Sequence, residues 1–238
     1  MAVFDGGDAA KRHPVQSLFD VEDETVMPHV RDMTVGPVST KDVQEFAQRY
    51  HYMGSGGSQL WRWGLWHGPV LHGVVAYNMP TRSVCETVFG AEHAEKVWHM
   101  GRLILSEESP RNSESRLIGG SLQAIERDYP HVWAVLTYAA TSAGHIGTVY
   151  QATNALYTGT GGENFHWFDA DGAIRSTYSS DLSRSERRER AERLGWTRRN
   201  DGVKHRYIYI LGNKTQRRQR RKLMNFDVLP YPKKEQND

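Results

Sequence analysis

The sequence predicts a mixed α/β (α+β) fold built on one mixed sheet. A central segment over 101–138 has the order strand, loop, helix, strand, which is the order of a right-handed βαβ unit. Hairpin signals before and after this unit indicate antiparallel strands on both sides of it. Segments with helical periodicity are few, so we expect a sheet covered by helices rather than a helix bundle.

The N-terminal part begins with a polar arm, 1–29, for which we expect irregular structure. The segment "RDMTVGPVS" then predicts a first strand. In "STKDVQEFAQRYHY", Ser39 and Asp42 form a capping-box signal, and apolar residues recur at i, i+3, i+4 and i+7. This pattern predicts an amphipathic helix.

Two alternating segments around "HGP" predict a hairpin, and "AEKVWHMGRLILSEES" ends in a strand. The loop "PRNSES" leads into the helix "SRLIGGSLQAIERDY", which is followed by the buried-type strand "HVWAVLTYA". A second helix then carries Tyr150 near its middle.

The C-terminal part starts with two short strands around an Asp-Gly turn in "NFHWFDADGAIRSTY". A charged helix over 183–194 and the strand "HRYIYILG" follow. We therefore predict one domain over 30–212, which includes the charged helix, and a basic tail over 213–238.

The composition favours a packed protein of a reducing compartment. Of 238 residues, 38% are hydrophobic and 24% are charged, which is typical of a globular chain. Cys85 is the single cysteine, so the chain cannot form an internal disulfide. The sequence has neither a secretory h-region nor an apolar run long enough to span a membrane, so we expect a cytoplasmic protein.

The positive charge is concentrated near the C-terminus. The net charge is only +2, but 184–222 holds 15 of the 30 Lys and Arg residues against four acidic residues. Such a block indicates a polyanionic partner. For the charged helix the alternative is a solvated face with Glu186–Arg190 and Glu189–Arg193 pairs.

The loop between the central strand and its helix is the first candidate site. A helix N-terminus offers free N–H groups to a phosphate, Ser113 can cap the helix, and Arg111 can add a charged donor. The alternative is an ordinary connection in which Ser113 only caps. The loop lacks the glycines of a Walker or dinucleotide motif.

Four segments together resemble a known family. They are "RYHYMG" (49–54), "GRLILSEESPRNSESRLIG" (101–119), "TYAATSAGHIGTVYQATNALYTG" (137–159) and "KHRYIYILGNK…LPYPK" (204–233). The strand–loop–helix with a Tyr on the next helix resembles the GCN5-related (GNAT) acyltransferase fold. The four segments resemble, more narrowly, the Mom-like phage proteins, acyltransferase-fold enzymes that alter adenine in phage DNA.

The resemblance implies roles for particular residues. Catalytic positions would be His51, Tyr52, Arg102 and Tyr150, with Tyr150 protonating the leaving sulfur of an acyl-CoA or acetyl-CoA donor. The alternatives are a helix-end His51, a half-buried Tyr52 and a structural ion pair of Arg102. The residues implied in donor binding are Leu103, Ile104, Leu105, Arg111, Asn112, Ser113, Glu114 and Ser115.

DNA would be the second partner, which the basic segment would contact through its phosphates. The residues expected to contact base or backbone are Asn154, Tyr157, Arg198, Arg199, Lys204, Arg206, Arg217, Arg218, Arg220 and Arg221. Aromatic candidates for stacking on an extruded base are Trp61, Trp63, Trp66, Tyr77 and Trp167, for which burial in the core is the alternative.

One position departs from the family. Where the family commonly has Tyr-Ala-Asp, this chain has Tyr138, Ala139 and Ala140. An Asp there would orient a base, assist a metal or deprotonate an amine. Glu114 or Asp169 are the candidates to replace it, and the alternatives are a variant reaction or weak activity. The histidines show no zinc-type spacing, so we predict no metal site.

Three functions follow from these features. The first is an enzyme that acylates the exocyclic amine of adenine in DNA. The second is a DNA-binding protein of the same fold that has lost the chemistry, as Ala140 suggests. The third is a GNAT acetyltransferase that acts on a protein or a small molecule, which the basic segment disfavours.

Overall fold

The predicted mixed α/β fold is confirmed by a computed structural model. The structure describes residues 28–51, 54, 56–57, 59–141, 144–161, 165–175, 177, 181–200 and 202–233. Its larger sheet has seven strands in the order β1-β2-β3-β4-β5-β10-β6. These are β1 (Thr34–Pro37), β2 (Trp61–His67), β3 (Val70–Asn78), β4 (Val97–Leu105), β5 (Ala134–Ala140), β6 (Leu156–Thr160) and β10 (Lys204–Ile210).

A smaller sheet has three strands in the order β8-β7-β9. They are β7 (Phe165–Phe168), β8 (Ile174–Arg175) and β9 (Thr197–Asn200). The helices are α1 (Thr40–Tyr50), α2 (Arg82–Phe89), α3 (Ser113–Asp128), α4 (Thr148–Ala152), α5 (Arg184–Arg193) and α6 (Lys214–Leu223), with 3-10 turns at Val30–Asp32 and Ala91–Lys96.

The central βαβ unit consists of β4, α3 and β5. β4 and β5 are parallel, whereas β3 pairs with β4, and β10 with β5, in antiparallel fashion. The predicted hairpin is β2 and β3, which pair from Trp61↔Tyr77 to His67↔Val70. The sheet therefore has a parallel centre with antiparallel flanks, as expected.

Helices cover both faces of the large sheet. On one face α3 and α4 pack over a core that includes Leu117, Ile118 and Tyr207. On the other face α1 covers Val74 and Ile104, and the residues of α2 pack near Leu136 and Ile208. Burial of these apolar faces is the main favourable contribution to folding.

Helix α1 forms as the sequence predicts. The Ser39 side chain accepts from the Asp42 N–H, and the Asp42 side chain accepts from the Ser39 N–H. The helix ends at Tyr50, and His51 is its C-cap residue. His51 therefore lies immediately after the last residue of the helix.

Five local predictions differ from the structure. α2, β6 and β9 have no counterpart among the predicted elements, and the basic tail contains an ordered helix. α6 has a capping box of Asn213 and Gln216, and the segment after it packs on the domain, because the Tyr231 hydroxyl donates to the Ala155 carbonyl. The fifth difference concerns α3, which begins after Asn112 in the left-handed region and not at a Ser113 cap.

Candidate functional site

A large cleft opens where β4 and β5 separate. The parallel pairing runs from Val97↔Ala134 to His99↔Leu136, while β4 continues to Leu105 and β5 to Ala140. The resulting cavity measures about 1030 Å³. The residues of interest in its lining are Tyr50, His51, His99, Arg102, Leu103, Ile104, Leu105, Glu114, Tyr138, Ala140, His145, Tyr150 and Lys204.

The motif G-H-x-G-x-x-Y-Q folds into the turn that places Tyr150 at this cleft. Gly147 lies at a φ of 73°, and a Cβ there would come within 2.4 Å of the Tyr207 ring. The Gln151 side chain donates to the Ile146 carbonyl at 3.0 Å and to the Tyr207 hydroxyl at 3.1 Å. Gly147 and Gln151 therefore hold the start of α4 against β10, with the Tyr150 ring 5.5 Å from that of Tyr207.

The Tyr150 phenol is protonated at neutral pH. Burial raises its pKa above the ordinary value, and an interaction with the Thr137 hydroxyl offsets only part of this rise. Tyr150 can therefore donate a proton to a basic leaving group.

His51 and Arg102 lie close together at the cleft. Burial, and after it the Arg102 charge, lower the pKa of His51 to about 4. The Arg102 guanidinium donates to the Gly101 carbonyl at 2.8 Å. His51 is therefore neutral at physiological pH and can accept a proton there.

Sequence analysis missed a second histidine of the cleft, His99. Its Nδ1 lies 3.2 Å from Asn78 Oδ1, and its ring packs edge-on at 5.8 Å against that of Tyr138. Burial, then Lys204 and Arg102, lower its pKa to about 4. No local motif marks His99, because its partner lies on the neighbouring strand β3.

Ala140 does line the cleft, so the departure from the family falls inside the candidate site. Of the two carboxylates proposed to replace an Asp there, Glu114 lines the cleft and Asp169 does not. Asp169 accepts from the Ala173 and Asp171 N–H groups and pairs with Arg175 at 2.5 Å. The Asp169 carboxylate is therefore bonded within its own turn, and the prediction that it replaces the missing Asp is wrong. Glu114 is the one carboxylate among the lining residues that the structure describes.

The predicted donor-binding residues form two groups. Leu103, Ile104, Leu105 and Glu114 line the cleft. Since the β4–β5 pairing, over the described residues, ends at His99, the β4 backbone beyond it can bond to an extended ligand. The Ile104 side chain is itself buried under α1.

The second group lies at the start of α3. Arg111 and Asn112 are exposed, Ser115 is partly exposed, and Asn112 makes no side-chain hydrogen bond to the helix. The free N–H groups at the N-terminus of α3 can bind an anion. Ser113 is fully buried, and its hydroxyl donates to the Pro110 carbonyl at 2.7 Å, so its side chain neither caps the helix nor reaches a ligand.

The predicted DNA contacts include residues at the surface. Lys204 lines the cleft next to Ala140, its partner in the β10–β5 register. The exposed arginines of the set are Arg198, Arg199, Arg217, Arg218 and Arg221. Arg217 also pairs with Glu126 at 2.7 Å. Asn154 is exposed but lies in the left-handed turn after α4, outside the cleft lining.

Three predicted DNA contacts, of which two are buried and one is half-buried, bond to other parts of the fold. Tyr157 is buried, with its hydroxyl 3.0 Å from His205 Nδ1. The Arg206 guanidinium bonds to Thr158 and stacks on the Phe226 ring at 3.6 Å. Arg220 is 8% exposed and donates to the Leu211 carbonyl at 2.7 Å. The hydrogen bonds and packing of these three side chains are therefore internal to the fold.

The remaining predictions have mixed outcomes. Tyr52 lies outside the described residues. Trp61 stacks on Trp98 at 3.5 Å and Trp63 packs against Tyr77, so both are partly buried against the core. Trp66 is partly buried against the cluster that includes Val43 and Val74. In the described part of the chain, no three His, Cys, Asp or Glu residues group as metal ligands, and no helix is long and apolar enough to cross a bilayer.

Two sequence comparisons give matches. A model of the Mom protein family matches residues 32–233. The methylcarbamoylase mom of Escherichia phage Mu is 33% identical over 138 residues, which cover 56% of this chain and 55% of that protein. The chain thus spans about half the length of this curated relative.

Comparison with solved structures gives N-acetyltransferases. The ribosomal-protein-S18-alanine N-acetyltransferase from Escherichia coli aligns with a TM-score of 0.43 and 8% identity over 76% of this chain and 97% of its own. Ard1 from Thermoplasma volcanium aligns with a TM-score of 0.44 and 10% identity over 76% of this chain and 99% of its own.

Proposed function

This chain belongs to the Mom protein family, and from that premise we propose that it is an acyltransferase-type enzyme that modifies the exocyclic amine of adenine in DNA. The observation that carries the proposal is the convergence of Tyr150, Arg102 and His51 on one cleft. This cleft offers a proton donor, a fixed cation and a proton acceptor, which are the groups that acyl transfer to an amine requires.

The cleft suits a CoA-type donor. A pantetheine arm contains amides, which can bond to the β4 backbone beyond His99, and its phosphates suit the N-terminus of α3 with Arg111 nearby. Such a donor supplies an activated carbonyl on a thiol leaving group. Glu114, at the same helix start, has to turn away from those phosphates or bond to a ribose hydroxyl.

The residues of the cleft have separate tasks. Tyr150 gives its phenol proton to the departing sulfur. A neutral imidazole, of His51 or His99, accepts the proton that the adenine amine loses as its bond to the carbonyl carbon forms. Arg102 stabilises negative charge that develops between them.

Two faces of the sheet meet at this cleft, which is consistent with two substrates. Tyr150 lies on the face covered by α3 and α4, whereas His99 and Tyr138 lie on the face that carries α2. We propose that the donor enters from the α3 face and the base from the other face. The base must be taken from a single strand or turned out of the duplex to reach this depth.

Mass spectrometry of nucleosides tests this function. DNA is incubated with the purified chain and acetyl-CoA, or isolated from cells that express the chain, and then digested. We expect a new species derived from deoxyadenosine, and its mass identifies the group that is transferred. With acetyl-CoA as the only donor the mass to search for is an acetyl adduct. The phage Mu relative is by name a methylcarbamoylase, so in DNA from the cells, which can supply the extra nitrogen, a methylcarbamoyl adduct is the first mass to search for.

A second candidate is a DNA-binding protein without chemistry, which Ala140 in the cleft wall favours. It predicts DNA binding with no heat of CoA binding in calorimetry and unmodified nucleosides. A protein or small-molecule acetyltransferase predicts CoA binding with no affinity for DNA. The same preparation therefore discriminates all three functions.

A further inference from the structure

A second concave site, which we call the arginine pocket, lies on the small sheet. Its volume is about 440 Å³, and none of the residues described in its lining also lines the cleft. It is lined by Trp167, Thr177, Arg184, Arg187, Arg188 and Arg198.

Two elements build the arginine pocket. In the β7–β9 ladder Trp167 is paired with Arg198, so both side chains share one face of the small sheet. The Arg198 guanidinium lies 4.0 Å over the Phe165 ring, two residues from Trp167 and on the same face. The first turns of α5 supply the other arginines.

The pocket is strongly positive. No Asp or Glu is among its described lining residues. Arg187 donates to the Leu182 carbonyl at 2.8 Å, and Arg188 pairs with Glu192, which lies outside the lining, at 2.8 Å. These bonds fix two guanidiniums in place, and Arg184 and Arg198 add further positive charge. Several guanidiniums that line one concave site favour the binding of an anion there.

A short segment of the chain connects the arginine pocket to the cleft. Arg198 lines the pocket and Lys204 lines the cleft, and a chain of six residues spans at most about 20 Å. Phosphates of one DNA strand repeat about every 3.4 Å along the helix axis, so about six of them cover this distance.

We propose that the arginine pocket binds the phosphate backbone of the DNA substrate within a few nucleotides of the base in the cleft. Guanidinium forks match phosphate oxygens in pairs of hydrogen bonds, and Trp167 gives the pocket an apolar floor against the sugar. This inference rests on the proposed function. It assigns to α5 and β9 the role of holding DNA in register with the cleft, and it adds Arg184, Arg187 and Arg188 to the surface arginines predicted from sequence.

Fluorescence anisotropy with a labelled DNA duplex over a range of salt concentrations tests the inference. The test variant is Arg184→Gln with Arg198→Gln. The control variant is Arg190→Gln with Arg193→Gln, which removes the same charge from exposed positions of α5 outside the pocket lining. The thermal midpoint of each variant is measured, since Arg198 also packs on Phe165.

We expect the test variant to bind DNA about tenfold more weakly than the control, with a salt slope shallower by about two because two phosphate contacts are lost. CoA binding and the thermal midpoint stay as in the control. Equal DNA affinity and equal slope in the two variants would overturn the inference while the proposed function stands.

Two other results also separate the possibilities. Loss of CoA binding in the test variant, with DNA affinity retained, would assign the pocket to a donor phosphate and overturn the inference. No DNA binding by the unmodified chain would overturn the proposed function, and the inference with it.

Discussion

His99 Nδ1 lies 3.2 Å from Asn78 Oδ1 at the base of the cleft. The amide oxygen accepts a hydrogen bond, so it fixes the proton of a neutral His99 on Nδ1 and leaves Nε2 as an acceptor. The lowered pKa of His99, about 4, keeps the ring neutral at pH 7. The pair therefore presents a neutral imidazole of defined tautomer in the cleft that Ala140 also lines.

Replacing His99 tests this role. We expect His99→Gln to lower kcat for base modification by about a hundredfold or more, because a positioned base contributes on that order. Asn78→Ala lowers kcat because the proton of His99 is then no longer fixed on Nδ1. In the His99→Gln background it lowers kcat little further, since the two side chains work as a unit. The matched control is His93→Gln, at a histidine outside the cleft lining. A His99→Gln enzyme as active as this control would exclude the role.

The absence of a side chain at Gly101 leaves space for the contact between His99 and Asn78. A Cβ at residue 101 would come within 2.8 Å of Asn78 Nδ2, so Gly101→Ala has to displace the Asn78 amide. We expect a loss of activity similar to that of Asn78→Ala with a retained fold. Gly119→Ala is the control, because a Cβ there meets nothing within 4 Å and alanine favours a helix by about 0.5–1 kcal/mol. The measurements are kcat and the thermal midpoint of both variants. Full activity of Gly101→Ala would contradict the role of the Asn78 amide in positioning His99.

The titration of His51 provides a pH prediction. Its pKa is lowered from 6.5 to about 4, so the folded state takes up this proton only near pH 4 while the unfolded chain takes it up near pH 6.5. The contribution of His51 to stability is therefore lost as the pH falls from 6.5 towards 4. Above that range His51 is neutral, and activity that depends on it is flat on the acid side of pH 7.

NMR of the His51 ring measures this directly. We expect Arg102→Gln to raise the pKa of His51, since it removes one of the two causes of the shift, but not back to 6.5 because burial remains. A wild-type His51 that titrates near 6.5 would contradict the structure of the cleft.

Arg220 and Arg218 on α6 should behave differently, although sequence analysis predicted both as DNA contacts. Arg220 is buried, donates to the Leu211 carbonyl and lies over the Trp133 ring at 5.2 Å. We expect Arg220→Met to lower the free energy of unfolding by about 1–3 kcal/mol, since a buried carbonyl loses its partner. Arg218→Met, at an exposed position, changes stability by less than about 0.5 kcal/mol. Denaturant titration tests this, and equal stability losses would contradict the burial of Arg220.

The sequence predicted those elements whose signals are local. α1 has a capping box and an apolar stripe, and the structure contains both. α2 was missed because its N-cap residue Thr81 makes no side-chain cap. α6 was interpreted as a tail because it has almost no apolar face, and an arginine is its buried residue.

Predictions of the site divide in the same way. Tyr150 and Arg102 stand in recognisable segments, and both line the cleft. His99 and Asn78 are 21 residues apart and meet only through the register of β3 with β4, which no spacing reveals. The sequence shows Tyr157 and Arg206 as polar or basic residues, but it does not show their hydrogen bonds to residues 48 positions away.

The most direct measurement of the central claim is the nucleoside content of DNA exposed to the wild-type chain, to Tyr150→Phe and to Tyr129→Phe. Tyr150 lines the cleft as a protonated phenol, whereas Tyr129 packs on Trp98 away from it. We expect wild type and Tyr129→Phe to form a modified deoxyadenosine at similar rates. We expect the rate with Tyr150→Phe to be lower by about a hundredfold or more. Unmodified deoxyadenosine with all three proteins, or equal rates for wild type and Tyr150→Phe, would contradict it.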